Sequence, residues 1–178
     1  MKKSILMISV VVLFQTSSFA QDAIGKGWGL GFQLGQYQRD FGIGLNVKTP
    51  YFVNDQIALR IKGNVMWNEH LDSNLEMTWS DYTNLSIGMI VLVGEIEDFI
   101  RLYGESGIIL IQPSDNFSNE NSNLGGYGLF GFEFYMYEKA NYFIEIGGVG
   151  SGATADKIPT NPIYSNGLII NTGFRFQF

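Results

Sequence analysis

Apolar residues recur at every second position along most of this chain. Trp28, Leu30, Phe32 and Leu34 interleave with Gly29, Gly31, Gln33 and Gly35, which is the period of a β-strand. Past a short polar turn at 36–40 the alternation resumes, with Phe41, Ile43, Leu45 and Val47 set against Gly42, Gly44, Asn46 and Lys48. A third segment places Ile57, Leu59, Ile61, Val65 and Trp67 on one face and Arg60, Lys62, Asn64 and Asn68 on the other. The same reading predicts strands near 79–94 (Leu85, Ile87, Met89, Val91) and 99–112 (Ile100, Leu102 opposite Arg101, Tyr103, Glu105). It predicts three more around Phe130 to Met136, Tyr142 to Ile146 and Leu168 to Phe178. Eight strands result.

The connections alternate in length. Those after strands two, four and six are tight, near Val53 to Asp55, Glu95 to Asp98 and Glu138 to Asn141. Those after strands three, five and seven are long and polar, about His70 to Thr78, Pro113 to Asn123 and Ser151 to Pro162. The connection after strand one is shorter than this alternation predicts. Pro50, Pro113, Pro159 and Pro162 all fall at turns or loops, as residues without an amide donor must. The expected fold is all-β: an eight-stranded antiparallel up-and-down barrel.

The minority face decides which way such a barrel is turned, because a soluble barrel would carry its oily face inside. Lys48, Arg60, Lys62, Arg101, Glu105, Glu133, Glu145 and Arg175 lie in one phase among glycines and amides, unlike the dense Lys/Glu/Thr surface of a soluble sheet. Opposite charges can pair within a narrow lumen while the apolar face meets lipid. Aromatic residues are predicted to form two girdles at the bilayer's interfaces. Trp28, Tyr51, Phe52, Phe99, Tyr137, Tyr142 and Phe178 would lie at the short-turn end, with Trp67, Trp79, Tyr127 and Tyr164 at the long-loop end. Ile90, Leu92, Ile109 and Ile111 conflict with this scheme, since they fall in the lumen phase. Either a bulge near Gly104 to Gly107 shifts the register, or they pack inside.

Composition adds an address. Lys2 and Lys3 precede the short apolar run Ile5 to Phe14, and Ser18-Phe19-Ala20 puts small residues before Gln21, the layout of a removable export signal. The run is about half of the roughly 20 residues a spanning helix needs. Residues 1–20 are therefore expected to be removed, leaving 21–178 as one domain. That mature chain carries 17 acidic residues against 9 basic ones, a net charge of −8, so no nucleic-acid partner is expected. The 178-residue chain has no cysteine, which excludes disulfides, thiolate metal sites, cysteine nucleophiles and a lipidated cysteine anchor.

The export signal, the eight amphipathic strands and the closing Thr172-Gly173-Phe174-Arg175-Phe176-Gln177-Phe178 together resemble the small eight-stranded outer-membrane barrels of the OmpA/OmpX type. The resemblance covers essentially all of the mature chain. It implies both termini in the periplasm, lipid and lipopolysaccharide as surroundings, and assembly-machinery recognition of Phe174, Phe176 and Phe178 as a C-terminal signal.

Candidate chemistry is sparse. Gly147 to Thr154 is glycine-rich, but Ala153 stands where a phosphate loop needs lysine and no helix follows. The single histidine, His70, lies close to Asp72 and Ser73, residue types from which an acyl-transfer site can be assembled. Outer-membrane barrels that deacylate or acylate lipid A make that a reading to weigh, although their His-x-Ser arrangement is absent here. A solvated loop histidine is the simpler reading. Glu69, Asp72, Glu76 and Asp81 crowd one external loop and its rim, with Asp115, Glu120 and Asp156 on others. Such carboxylates suit divalent cations that bridge lipopolysaccharide phosphates, without any known spacing motif. The sequon at Asn116 carries little meaning in a bacterial chain. No cofactor and no resident metal are expected. The expected role is structural or interactive, through external loops and an unidentified extracellular ligand, with a lipid A acyl hydrolase or a narrow channel as rivals.

Overall fold

In a computed structural model the chain forms one closed sheet of eight antiparallel strands, each paired with its sequence neighbours and β1 closing onto β8. The described residues are 25, 27–72, 74–97, 99–159 and 161–178. The predicted export signal at 1–20 and Ser73 lie outside them. The strands are β1 (Gly29–Tyr37), β2 (Asp40–Lys48), β3 (Ile57–Leu71), β4 (Met77–Ile96), β5 (Ile100–Pro113), β6 (Asn123–Tyr137), β7 (Ala140–Gly150) and β8 (Gly167–Gln177).

Burial alternates along every strand, and the apolar side chains are the exposed ones. Leu45, Ile61, Leu85, Ile108 and Phe174 stand on the outer wall, whereas Arg60 and Arg175 are completely buried. This inversion of the usual arrangement excludes the soluble reading. A closed sheet leaves no unpaired edge, so its outer wall can be wholly apolar without stranding backbone donors or acceptors. Phe130 is more than a third exposed while Lys62 is at 2%, so the ionic side chains are the interior.

Two expectations change. Tyr51, Tyr127 and Tyr164 are buried rather than placed in girdles: the Tyr51 ring faces the Lys48 ammonium, the Tyr127 hydroxyl donates to Glu105, and the Tyr164 ring packs on Phe117. The outward aromatics at the short-turn end include Phe52, Phe99, Tyr137 and Phe178, and Trp79 stands exposed at the other. The predicted loop at 70–78 is shortened at both ends, since β3 and β4 stay paired out to Leu71 and Met77. The remaining connection is closed by Asp72, whose carboxylate accepts from the backbone amides of Asn74 (2.7 Å) and Glu76 (3.0 Å).

The register conflict is also resolved. The pairing of β4 with β5 slips between Leu92 and Gly94, not near Gly104 to Gly107. Ile90, Ile109 and Ile111 pack inside the barrel at 1% exposure or less, with Leu92 half-buried against them. They belong to an apolar cluster that includes Met66, Tyr82, Phe117 and Tyr164, so the lumen is ionic in part and oily in part.

Candidate functional site in the lumen and at the long-loop end

Strand alternation sends every second side chain inward, and the eight predicted lumen charges all arrive there. Lys48, Arg60, Lys62, Arg101, Glu105, Glu133, Glu145 and Arg175 are each at most 4% exposed. They form two groups. In the first, the Arg60 guanidinium meets Glu145 at 2.5 Å and also pairs with Glu105, while Lys62 reaches Glu105 at 2.9 Å. Tyr103 donates to Glu145 (2.5 Å), Tyr127 donates to Glu105 (2.5 Å), and Asn171 donates to the other oxygen of Glu145 (3.0 Å). Burying such charges costs several kcal/mol each unless they are paired and hydrogen-bonded, and here every carboxylate has both kinds of partner.

The second group lies towards the short turns. Glu133 pairs with Arg175 and, at 3.7 Å, with Arg101, which also holds Glu95 at 2.7 Å. Tyr135 donates to Glu133 at 2.8 Å and accepts from Arg101 at 2.6 Å. The carbonyl of Gly25 enters this end and accepts from Lys48 (3.1 Å) and Arg101 (2.9 Å). The Lys48 ammonium also lies 4.2 Å from the centre of the Tyr51 ring, a cation–π contact.

The carboxylate-binding role of tyrosines is what the sequence reading missed. Tyr82, Tyr103, Tyr127 and Tyr135 all sit in the lumen phase and bind its carboxylates. A signal existed, since Tyr103 and Tyr135 share the phase of Arg101, Glu105 and Glu133. Space for them comes from glycine. A Cβ on Gly131 would fall 2.2 Å from the Tyr103 ring, and one on Gly88 would fall 2.2 Å from the Tyr127 hydroxyl.

The long-loop end is closed by two connections that fold inward. Phe117, from the connection at 114–122, is fully buried, stacks on Tyr82 at a centroid distance of 6.2 Å and meets Tyr164 edge-on at 4.6 Å. Ala153, Ala155, Tyr164 and Ser165, from the connection at 151–166, are likewise buried. Burial pushes the Tyr164 phenol up from its ordinary pKa. Asp156 ties the two loops together by accepting from the Ser118 hydroxyl (2.7 Å) and from the Asn119 backbone (2.8 Å) and side-chain (2.5 Å) amides. These bonds, led by that of Ser118, hold its carboxyl down at about 2.

Asp40 is the hub beneath. Its carboxylate accepts from the Tyr82 hydroxyl (2.6 Å), the Ser165 backbone amide (2.6 Å) and the Asn68 side chain. Sequence reading placed Asp40 in a turn and gave it no role, because its partners on β3, β4 and the final loop are brought to it only by barrel closure.

His70 is buried rather than solvated, lying 6.1 Å from the Phe117 ring. Its Nε2 meets the Ser80 hydroxyl at 2.9 Å and its Nδ1 meets the Leu71 carbonyl at 3.1 Å. Among the described residues no hydrogen bond joins it to Asp72, whose carboxyl is held below its usual pKa first by the Glu76 amide. The acidic loop residues do not converge either: no three of the described His, Asp and Glu side chains are grouped to hold a metal ion.

The N-terminal β-barrel domain of OprF from Pseudomonas aeruginosa superposes on this chain with a TM-score of 0.60 at 13% identity, covering 86% of this chain and 98% of that one. The fold is that of a small outer-membrane β-barrel. OprG, an outer membrane protein of the same organism, superposes with a TM-score of 0.57 at 12% identity, covering 88% of this chain and 98% of that one. No protein-family profile and no curated protein sequence matches the chain.

Proposed function

We propose that this protein is an integral outer-membrane barrel that does not conduct and that works through its long-loop end. The observation that carries this reading is the pairing of Arg60 with both Glu105 and Glu145, which puts side chains across the middle of the lumen where a channel would need water. The inward-folded Phe117 and Tyr164 close the mouth above it. An eight-stranded barrel has an interior that side chains can just fill, and this chain fills it with paired charges. On this reading residues 1–20 direct export, the short turns face the periplasm, and the exposed Phe174, Phe176 and Phe178 on the outer wall are available to the assembly machinery. Lipid and lipopolysaccharide surround the apolar wall.

The chain lacks cysteine, so single-cysteine variants test the orientation directly. Asn121→Cys, in the loop after β5, should react with a membrane-impermeant maleimide in intact cells, and Glu138→Cys, in the turn after β6, should react only after lysis. Planar-bilayer recordings of the purified barrel should show no reproducible unit conductance. Steady conductance, or labelling of Glu138→Cys from outside, would overturn the reading.

A second reading rests on the His70 to Ser80 contact. A histidine whose Nδ1 donates to a backbone carbonyl leaves Nε2 free to accept a serine proton, the arrangement of a general base beside a nucleophile. The acyl hydrolase predicted around His70, Asp72 and Ser73 would then use Ser80 instead. Mass spectrometry of lipid A from cells carrying the native chain or His70→Ala decides it: an acyl pattern that depends on His70 favours the enzyme, and identical patterns exclude lipid A as its substrate.

A further inference from the structure

Beside the Asp40 hub a polar cavity of about 410 Å³ opens at the long-loop end, between the β1–β2 hairpin, β3 and the connection to β8. That volume is in the range of small-molecule pockets. Its walls carry four carboxamides, those of Gln38, Asn68, Asn161 and Asn166, and one guanidinium, that of Arg39. Tyr37, Pro162 and Ile163 add apolar surface. Neither the closing of the barrel nor the lumen ion pairs use this space.

The chemistry of the walls narrows what fits. Asn68 is 1% exposed and gives its amide N–H to Asp40, while its carbonyl oxygen finds no hydrogen-bond partner among the described residues. A buried acceptor left unmet is destabilising, so a ligand that donates to it recovers that loss. The Asp40 carboxylate already takes three donors and is 2% exposed, so it has no room for a ligand ammonium. Arg39 is the pocket's cation and stands exposed at the rim, placed for a carboxylate or phosphate, which a guanidinium binds through two parallel hydrogen bonds. Carboxamides pair with adjacent hydroxyls because each offers a donor and an acceptor. The apolar residues suit the C–H face of a ring.

We propose that this cavity binds an acidic sugar, its anionic group on Arg39 and its hydroxyls on the surrounding carboxamides. The proposal rests on the reading that the long-loop end faces outward. The sugar can belong to a soluble saccharide or to the glycan of the outer leaflet; both present the same chemistry.

The test is an NMR titration of the isotope-labelled full barrel in lauryldimethylamine oxide micelles, a detergent without sugar. D-glucuronate should shift the side-chain amides of Gln38, Asn68, Asn161 and Asn166, glucose should do so at least five-fold more weakly, and alanine should not. Arg39→Ala, on the exposed rim, should weaken glucuronate at least five-fold while the barrel keeps its heat-dependent shift on a gel. Absence of glucuronate shifts, equal shifts with alanine, or undiminished binding in Arg39→Ala would overturn the proposal. A second arm adds purified lipopolysaccharide: the same amides shift if the outer-leaflet glycan supplies the sugar, and only free saccharide shifts them if the source is soluble. The maleimide experiment reads orientation separately, so a failure there is not confused with a failure of binding.

Discussion

Arg60 on β3 and Glu145 on β7 meet at 2.5 Å, although three strands separate their own on either side of the closed sheet. The two side chains therefore bridge opposite walls, and Glu105 on β5 pairs with the same guanidinium. A contact of this kind stiffens the cross-section of the barrel as well as blocking it. It also makes the lumen's stability depend on charge balance, since each of the three residues is at most 4% exposed.

Arg60→Ala is expected to be the most damaging single change in the lumen. It leaves Glu105 sharing only Lys62 and removes the ion pair of Glu145, a situation that costs about 3–5 kcal/mol when a buried partner is deleted. The urea midpoint of the barrel in micelles should fall accordingly. Arg60→Met combined with Glu145→Gln should regain most of the loss, because Glu105 keeps its pair with Lys62 and the two neutral groups need no counter-charge. Equal midpoints for the native chain and Arg60→Ala would show that water enters the lumen and screens the acids.

Gly131→Ala tests the packing of tyrosine against glycine across the β5–β6 pair, where Tyr103 and Gly131 are direct partners. The added methyl must displace the Tyr103 ring and with it the 2.5 Å bond to Glu145. Overpacking of this sort costs about 1–3 kcal/mol. In a double-mutant cycle with Tyr103→Ala the cost should shrink to a few tenths of a kcal/mol, and an undiminished cost would place its origin elsewhere.

The link between the two long loops should depend on pH. Asp156 has its carboxyl held down at about 2 by Ser118 and Asn119. A lowered carboxylate stabilises its surroundings above the ordinary value near 3.8 and loses that contribution as the pH falls towards 2. Protection of the Asn119 amide, its exchange rate taken relative to the intrinsic rate at each pH, should be high and constant above about pH 4, then fall between about pH 4 and 2. In Asp156→Asn that protection should be lower at neutral pH and no longer vary in that acid range. An acid-induced loss of protection that survives in Asp156→Asn would assign the effect to another group.

Much of this protein is written in its period of two. Alternation sets which residues face each other's side of the wall, so the barrel, its eight strands, the lumen placement of Arg60, Glu145 and their fellows, and the outward Phe174 and Phe176 follow from residue order alone. The charges of the minority face settle the inversion, because unpaired ions cannot face hydrocarbon. What alternation cannot supply is the angular and axial position of one strand against a distant one. That Asp40 serves Tyr82 and Ser165, that Tyr103 fits over Gly131, and that His70 meets Ser80 depends on stagger and closure. Loops carry no period, so the inward fold of Phe117 and Tyr164, and the cavity beside Arg39, were decided by burial of their apolar rings once the barrel had closed beneath them.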